Sequence, residues 1–440
     1  MESQEQVPRR GPARRARAGP RQPRLFDQYL RNAGRVCRRT VGSIGISRRR
    51  FMPHTSITRR RTLAKLFLFA SAAASQLAAC GGSGGGDGSG ESSSAAEETP
   101  GPMAPGPAAP PAPPTARFAY SGSSAATLFE YSVDPSSGAL TEIQSLTTDG
   151  APVHVCMGAR PEHVYAAQPA NGEVKLYEVD TVTRALTLKG SFPAGPSPDV
   201  LALHPSGKFL CVGDRFNRQL SSYLIDPATG GLTLIGSLAC DTGVLEFHPS
   251  GAFVFSAAGG GNLWSIAVDP GTGLLTQAAS TPATFGIESL AVDPAGQALY
   301  TSTSNVHDRN VTAHGIDAAT GALTQRQHLA LDAQPGGLAV HPSGRYLYLA
   351  THNNTTPFGG DLRKLEIDPT TGSLTAGTVL TKAVLRSASI SIDSGGGVVY
   401  VSSSNGSEIE VFSCDSANSG DLTPLQKVSV FGGGTRLALS

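Results

Sequence analysis

The chain has 440 residues, 39% of them hydrophobic and 16% charged, with 35 Lys and Arg against 34 Asp and Glu. That balance is uneven along the chain: residues 1–79 hold about 18 of the bases and about three of the acids, which leaves residues 80–440 with a net charge near −14. So acidic a segment has no general affinity for nucleic acid or for an anionic lipid surface, and both are excluded as partners of its folded part.

Residues 1–51 form an Arg-rich leader with about 14 arginines, no lysine and scattered Pro and Gly. It lacks the apolar pattern that a core requires, so disorder is expected there. Met52 opens a signal peptide of ordinary length that needs nothing before it. Translation from Met52 is therefore expected, with residues 1–51 a start-site artefact.

Residues 52–79 have the order of a secretory signal: a charged stretch around Arg59-Arg60-Arg61, the apolar run LFLFASAAASQLAA, then small residues. The apolar run is about 14 residues long, too short for a hydrocarbon core that needs roughly 20. Leu77-Ala78-Ala79-Cys80 resembles the lipobox of bacterial lipoproteins. That resemblance implies cleavage before Cys80 and lipidation of its thiol, which would place the protein in the cell envelope, on the periplasmic side or at the outer membrane, touching membrane through its N-terminal lipid only. Thr58 to Leu63 is similar to a twin-arginine signal with Thr62 in the usual Phe position, so Sec and twin-arginine export both stay open. Residues 80–115 pass from Gly/Ser-rich to Pro-rich, the composition of a flexible and then stiffer tether.

The remaining residues, 116–440, are too many for a single small core unless the architecture repeats, and they do repeat. DPSSGAL at Asp134 recurs as DTVTRAL at Asp180, DPATGGL at Asp226, DPGTGLL at Asp269, DAATGAL at Asp317, DPTTGSL at Asp368 and DSANSGDL at Asp415. The spacing is roughly 43 to 51 residues, that of four-stranded propeller blades. A second motif interleaves with it: HPSGKFL at His204, HPSGAFV at His248, DPAGQAL at Asp293, HPSGRYL at His341 and DSGGGVV at Asp393. In both, Pro presets the first turn position and Gly accepts a positive φ, so both are hairpin turns.

Strand-length stretches such as DVLALH, KFLCVGD, LSSYLID and LTLIGSL fill the intervals, four to a period. The predicted fold class is all-β: a seven-bladed β-propeller with four antiparallel strands per blade, A to D from the axis outward. The first repeat begins at ARFAYSG with a B-type strand, and the chain finishes on GTRLALS, which matches the A-type DVLALH. A 3+1 closure of the first blade by the C-terminal strand follows, with no open sheet edge. In such blades the A–B and C–D turns share one face of the disc. The irregular B–C loops and D–A crossovers share the other, where binding groups are free to differ.

His204, His248 and His341 are first residues of repeated turns in different blades, so they read as hairpin caps and not as a metal cluster. Cys156, Cys211, Cys240 and Cys414 lack CxxC spacing, and Cys156 and Cys211 read as buried thiols. No nucleophile elbow, HExxH, P-loop or dinucleotide fingerprint occurs in the right context. Neither a metal nor a cofactor is expected.

The unit HPSGKFLCVGD…LSSYLIDPATGGLT resembles the lactonase-type seven-bladed propellers, similar to 6-phosphogluconolactonase of the propeller type, across residues 116–440. The resemblance implies an active site around the axis on the loop-bearing face, with a G-P-R-H type sequence entering an A strand and an Asn-Glu pair after a B strand. GAPVH supplies His154 with Val153 in the arginine position, and FGIES supplies Glu288; GDRFN, STSNVHD and ATHNN stand where the Asn-Glu pair would fall. Opening a lactone needs a base for water and a donor for the oxyanion, which makes His154, Glu288, Arg386 and Arg436 the candidate catalytic residues. Asp199, Asp214, Arg215, Asp241, His307, His352 and Asn353 are the candidate substrate-binding residues. Two functions stay open: a lactonase-like hydrolase acting on a small-molecule lactone or carbohydrate, and a non-catalytic propeller binding an envelope protein. A monomer is expected in either case.

Overall fold

The structure is a computed structural model that describes residues 117–440, apart from 260, 284–285, 304–307, 353–359, 383–387 and 404–406. The stretches read from the sequence as leader, signal peptide and tether, with Cys80, lie outside the described residues. So do His307, Asn353 and Arg386.

The described chain forms seven four-stranded antiparallel sheets, each a run of consecutive strands except the first, which is closed by the last strand of the chain. These are the blades that the repeats predict. The innermost, A, strands are His154–Met157 in blade 2, Pro198–Leu203 in blade 3, Val244–Phe247 in blade 4, Ile287–Val292 in blade 5, Gln334–Val340 in blade 6 and Ala388–Ile392 in blade 7. Blade 1 takes Ala438–Leu439, which pairs with Arg117–Ser123 through Ala119 with Leu439 and Tyr120 with Ala438.

Each B strand is covered on both faces, as in His163–Gln168 and Phe209–Asp214, where every residue is buried. The outer D strands alternate between partly covered and exposed residues, as in Leu140–Thr147. This gradient gives seven hydrophobic cores, and each lies between two adjacent blades. One joins Tyr120 and Leu128 of blade 1 to Val155 and Val164 of blade 2; another joins Ala119 and Tyr131 to Tyr400 and Val411 of blade 7. With cores between blades 2 and 3, 3 and 4, 4 and 5, 5 and 6, and 6 and 7 as well, the ring is continuous.

The stereotyped turns also fasten blade to blade. In the C–D turn the Asp134 carboxylate accepts the amides of Ser136 and Ser137 at 3.0 and 2.8 Å, and the Gly138 carbonyl accepts the Tyr400 hydroxyl of blade 7 at 2.9 Å. Tyr165, Tyr300 and Tyr348 donate in the same way to Gly230, Gly372 and Gly420 of the following blade. In blade 2 the turn carries Arg184 in place of glycine, at φ 63°. Its side chain turns back to blade 1, donates to the Tyr120 hydroxyl at 2.9 Å, pairs with the fully buried Glu130 and covers the Phe118 ring. His204, His248 and His341 cap their hairpins through Nδ1, as predicted, and each also reaches the next blade through Nε2.

Candidate functional site

The A strands run inward from the loop-bearing face, so their first residues surround the axis at that face. Aligning the inner strands on their turns puts His154, Val200, Val244, Ser289, Gly337, Ser389 and Arg436 at one level. Two residues later, roughly 7 Å deeper, the equivalent positions are Cys156, Ala202, Glu246, Ala291, Ala339, Ser391 and Ala438. Small residues fill this second level in every blade but the fourth, where Glu246 stands. Asp199 and Glu288 share the level above the first.

Two connected spaces follow from this layering. A mouth of about 270 Å³ is lined by His154, Asp199, Glu288 and Arg436 among backbone-rich segments of blades 1 and 3 to 7. A deeper space of about 350 Å³ lies against the inner strands of blades 1 to 4, where Leu201, Leu245, Phe247 and Leu437 surround His154, Glu246 and Arg436. His154 and Arg436 belong to both. Arg436 is the only Lys or Arg among the described residues lining either space.

The electrostatics of the deep space are set by partial burial and by the Arg436 guanidinium. Burial, with the Arg436 guanidinium nearby, pushes the His154 imidazole down to about 4, so the ring is neutral near pH 7. Its Nδ1 is buried and has no hydrogen-bond partner among the described residues. Burial also pushes the Glu246 carboxyl up, against the opposing pull of Arg436. The Arg436 Nη1 stands 3.9 Å from Glu246 Oε2, longer than a charge-assisted hydrogen bond. The Cys156 thiol is pushed up to about 11 by burial, so it stays protonated and is no nucleophile at neutral pH.

The other candidates separate into rim and framework. Glu288 is exposed at the mouth and, with Arg215, also borders a small groove beside Gly259. Arg215 donates from Nε to Asp199 at 2.8 Å, while the second Asp199 oxygen is buried without a partner among the described residues; burial outweighs Arg215 and pushes that carboxyl up. Asp214 ends its B strand and is 2% exposed, accepting the Ser197 and Asn217 amides at 3.1 and 3.0 Å and the Asn217 side chain at 2.8 Å. Asp241 lies in the crossover before blade 4, where Arg218 pairs with it at 2.6 Å. His352 ends the B strand Tyr346–His352. Asp214, Asp241 and His352 lie outside the lining of both spaces. Sequence reasoning missed Glu246, although a carboxylate where the other blades carry Ala, Ser or Cys is a signal that aligning the repeats reveals.

Residues 187–287 match the model of the family described as lactonase, 7-bladed beta-propeller. Among solved structures, the chain is similar to a periplasmic gluconolactonase from Pseudomonas aeruginosa, with 18% identity and a TM-score of 0.62 over 74% of this chain and 99% of that one. A Bacteroides uniformis protein provisionally named 6-phosphogluconolactonase matches with 16% identity and a TM-score of 0.63, over 74% and 99%. A Lactobacillus plantarum protein matches with 16% identity and a TM-score of 0.61, over the same shares. At these identities the likeness is one of fold. No curated protein matches the chain.

Proposed function

We propose that this lactonase-like propeller hydrolyses a small sugar lactone or a related lactone in its axial cavity. The observation that carries the reading is the convergence on one axial space of a guanidinium and a neutral imidazole whose buried Nδ1 has no partner among the described residues. The family match over residues 187–287 supports it, as does the likeness in fold to the Pseudomonas gluconolactonase.

In this mechanism the lactone carbonyl faces Arg436, whose N–H groups stabilise the oxyanion that forms on attack. His154 takes a proton from water as its oxygen bonds to the carbonyl carbon, and then returns it to the ring oxygen as the C–O bond breaks. The product is a hydroxy acid. Glu288 at the mouth meets the polar end of the substrate. The charge near −14 disfavours phosphorylated, doubly anionic lactones, and the export signal supports an envelope location held by a lipid on Cys80.

The test is hydrolysis by the full chain of glucono-δ-lactone and its 6-phosphate above the spontaneous rate. Turnover should fall by about a hundredfold or more in His154→Ala and in Arg436→Ala. If neither lactone is turned over, the reading favoured instead is a binding propeller, which the missing Asn-Glu pair supports. Labelling with radioactive palmitate, lost in Cys80→Ser, tests the anchor.

A further inference from the structure

The deep space holds an internal ion pair that is poorly made. The Arg436 guanidinium approaches Glu246 no closer than 3.9 Å, and among the described residues it donates no hydrogen bond to protein. Its side chain keeps 46% of its surface exposed toward the cavity. A planar fork with unengaged donors, in a pocket whose wall is mostly apolar apart from His154 and Glu246, is suited to a second carboxylate bound through both oxygens.

We propose that the deep segment of the axial channel is a binding site for the carboxylate of a small monoanionic hydroxy acid, which takes Arg436 from Glu246. The ligand identity rests on the proposed reaction, since the acid is the ring-opened product; the site itself rests on geometry alone. Glu246 then acts as the internal competitor that returns to Arg436 and expels the acid. Burial that already pushes the Glu246 carboxyl up makes its neutralisation inexpensive when Arg436 turns away.

Charge selects a monoanion. One guanidinium freed from one carboxylate offers a single unit of positive charge, while Asp199 and Glu288 above oppose any second negative charge. The space of about 350 Å³ accommodates an acid of a few carbons and its hydroxyl groups.

The experiment is calorimetric titration of the full chain with gluconate and with its neutral isostere gluconamide. Gluconate should bind saturably and about tenfold or more tightly than gluconamide. Arg436→Gln should abolish that preference, and Glu246→Gln should tighten gluconate severalfold. A gain of affinity cannot arise from misfolding, so the second variant protects the test, with thermal melting as a check on both. Equal binding of the two probes, no binding of either, or weaker or unchanged gluconate binding in Glu246→Gln would overturn the site. Lactone turnover without gluconate preference defeats this inference alone, whereas gluconate preference without turnover defeats the hydrolase reading alone.

Discussion

The Nε2 of His204 lies 3.0 Å from the carbonyl oxygen of Gly251, 47 residues further along the chain and in the next blade. Because Nδ1 of the same ring accepts the Ser206 amide at 3.0 Å, the proton sits on Nε2, which donates to Gly251. Gly251 has φ 76°, and a methyl group there would fall 2.5 Å from the ring. His204→Ala should cost about 1–3 kcal/mol by leaving the carbonyl unpaired. Gly251→Ala should cost about 2–4 kcal/mol through strain and collision. Urea denaturation measures both, and midpoints within error of wild type would show that the contact between blades contributes nothing.

Arg184 offers an internal contrast. Glycine at this position would relieve the positive φ, yet it would leave Glu130, fully buried beside Tyr120 and Gln144, without its cation. Losing the partner of a buried charge outweighs a relief of about 1–2 kcal/mol, so Arg184→Gly should destabilise by roughly 3 kcal/mol. Adding Glu130→Leu should restore much of that loss in the double variant. An Arg184→Gly protein as stable as wild type would refute the buried-pair argument.

The contrast also marks what sequence reading reaches. The seven blades, the two turn families and the closure by GTRLALS were legible because each rests on local turn chemistry repeated at a fixed period. What His204 reaches in the next blade and Arg184 in the preceding one was not legible, since a contact across 47 or 54 residues has no local signature. The loop-face candidates show the same limit. Asp199 and Glu288 line the mouth, but Asp214 is drawn into its own loop by Asn217, and nothing in GDRFN distinguishes a loop-bracing carboxylate from one that faces the axis. Glu246 was hidden inside a strand that reads as apolar.

His314 gives a pH dependence with a definite sign. It lies 3% exposed in the C strand Asn310–Ile316, its Nδ1 has no partner among the described residues, and burial pushes the ring down to about 4. The unfolded chain binds this proton at about 6.5, so stability falls as pH drops from 6.5 toward 4, by up to roughly 3 kcal/mol from this residue. His154 acts in the same direction, while the raised carboxyls of Glu246 and Asp199 act in the opposite one. Comparing the slope of unfolding free energy against pH in His314→Leu and wild type isolates the term. Parallel slopes would rule it out.

Removing residues 436–440 should lower stability by more than about 4 kcal/mol. Leu437 is 3% exposed in the core between blades 7 and 1, its carbonyl accepts the Ser391 hydroxyl at 2.8 Å, and the Ser440 amide donates to Phe118 at 2.9 Å. The truncated protein should be cut by protease at concentrations that leave the full chain intact. Equal resistance would mean that the ring holds without its closing strand.

Placing Arg436 beside that closing strand has a consequence for the order in which the molecule becomes competent. Chain order brings this residue out of the ribosome after the other strands of all seven blades, and only docking on blade 1 carries it to the axis. Until then the cavity has its imidazole and its carboxylates but, among the described residues, no cation. On the reaction proposed above, the step that seals the ring is therefore also the one that completes the site.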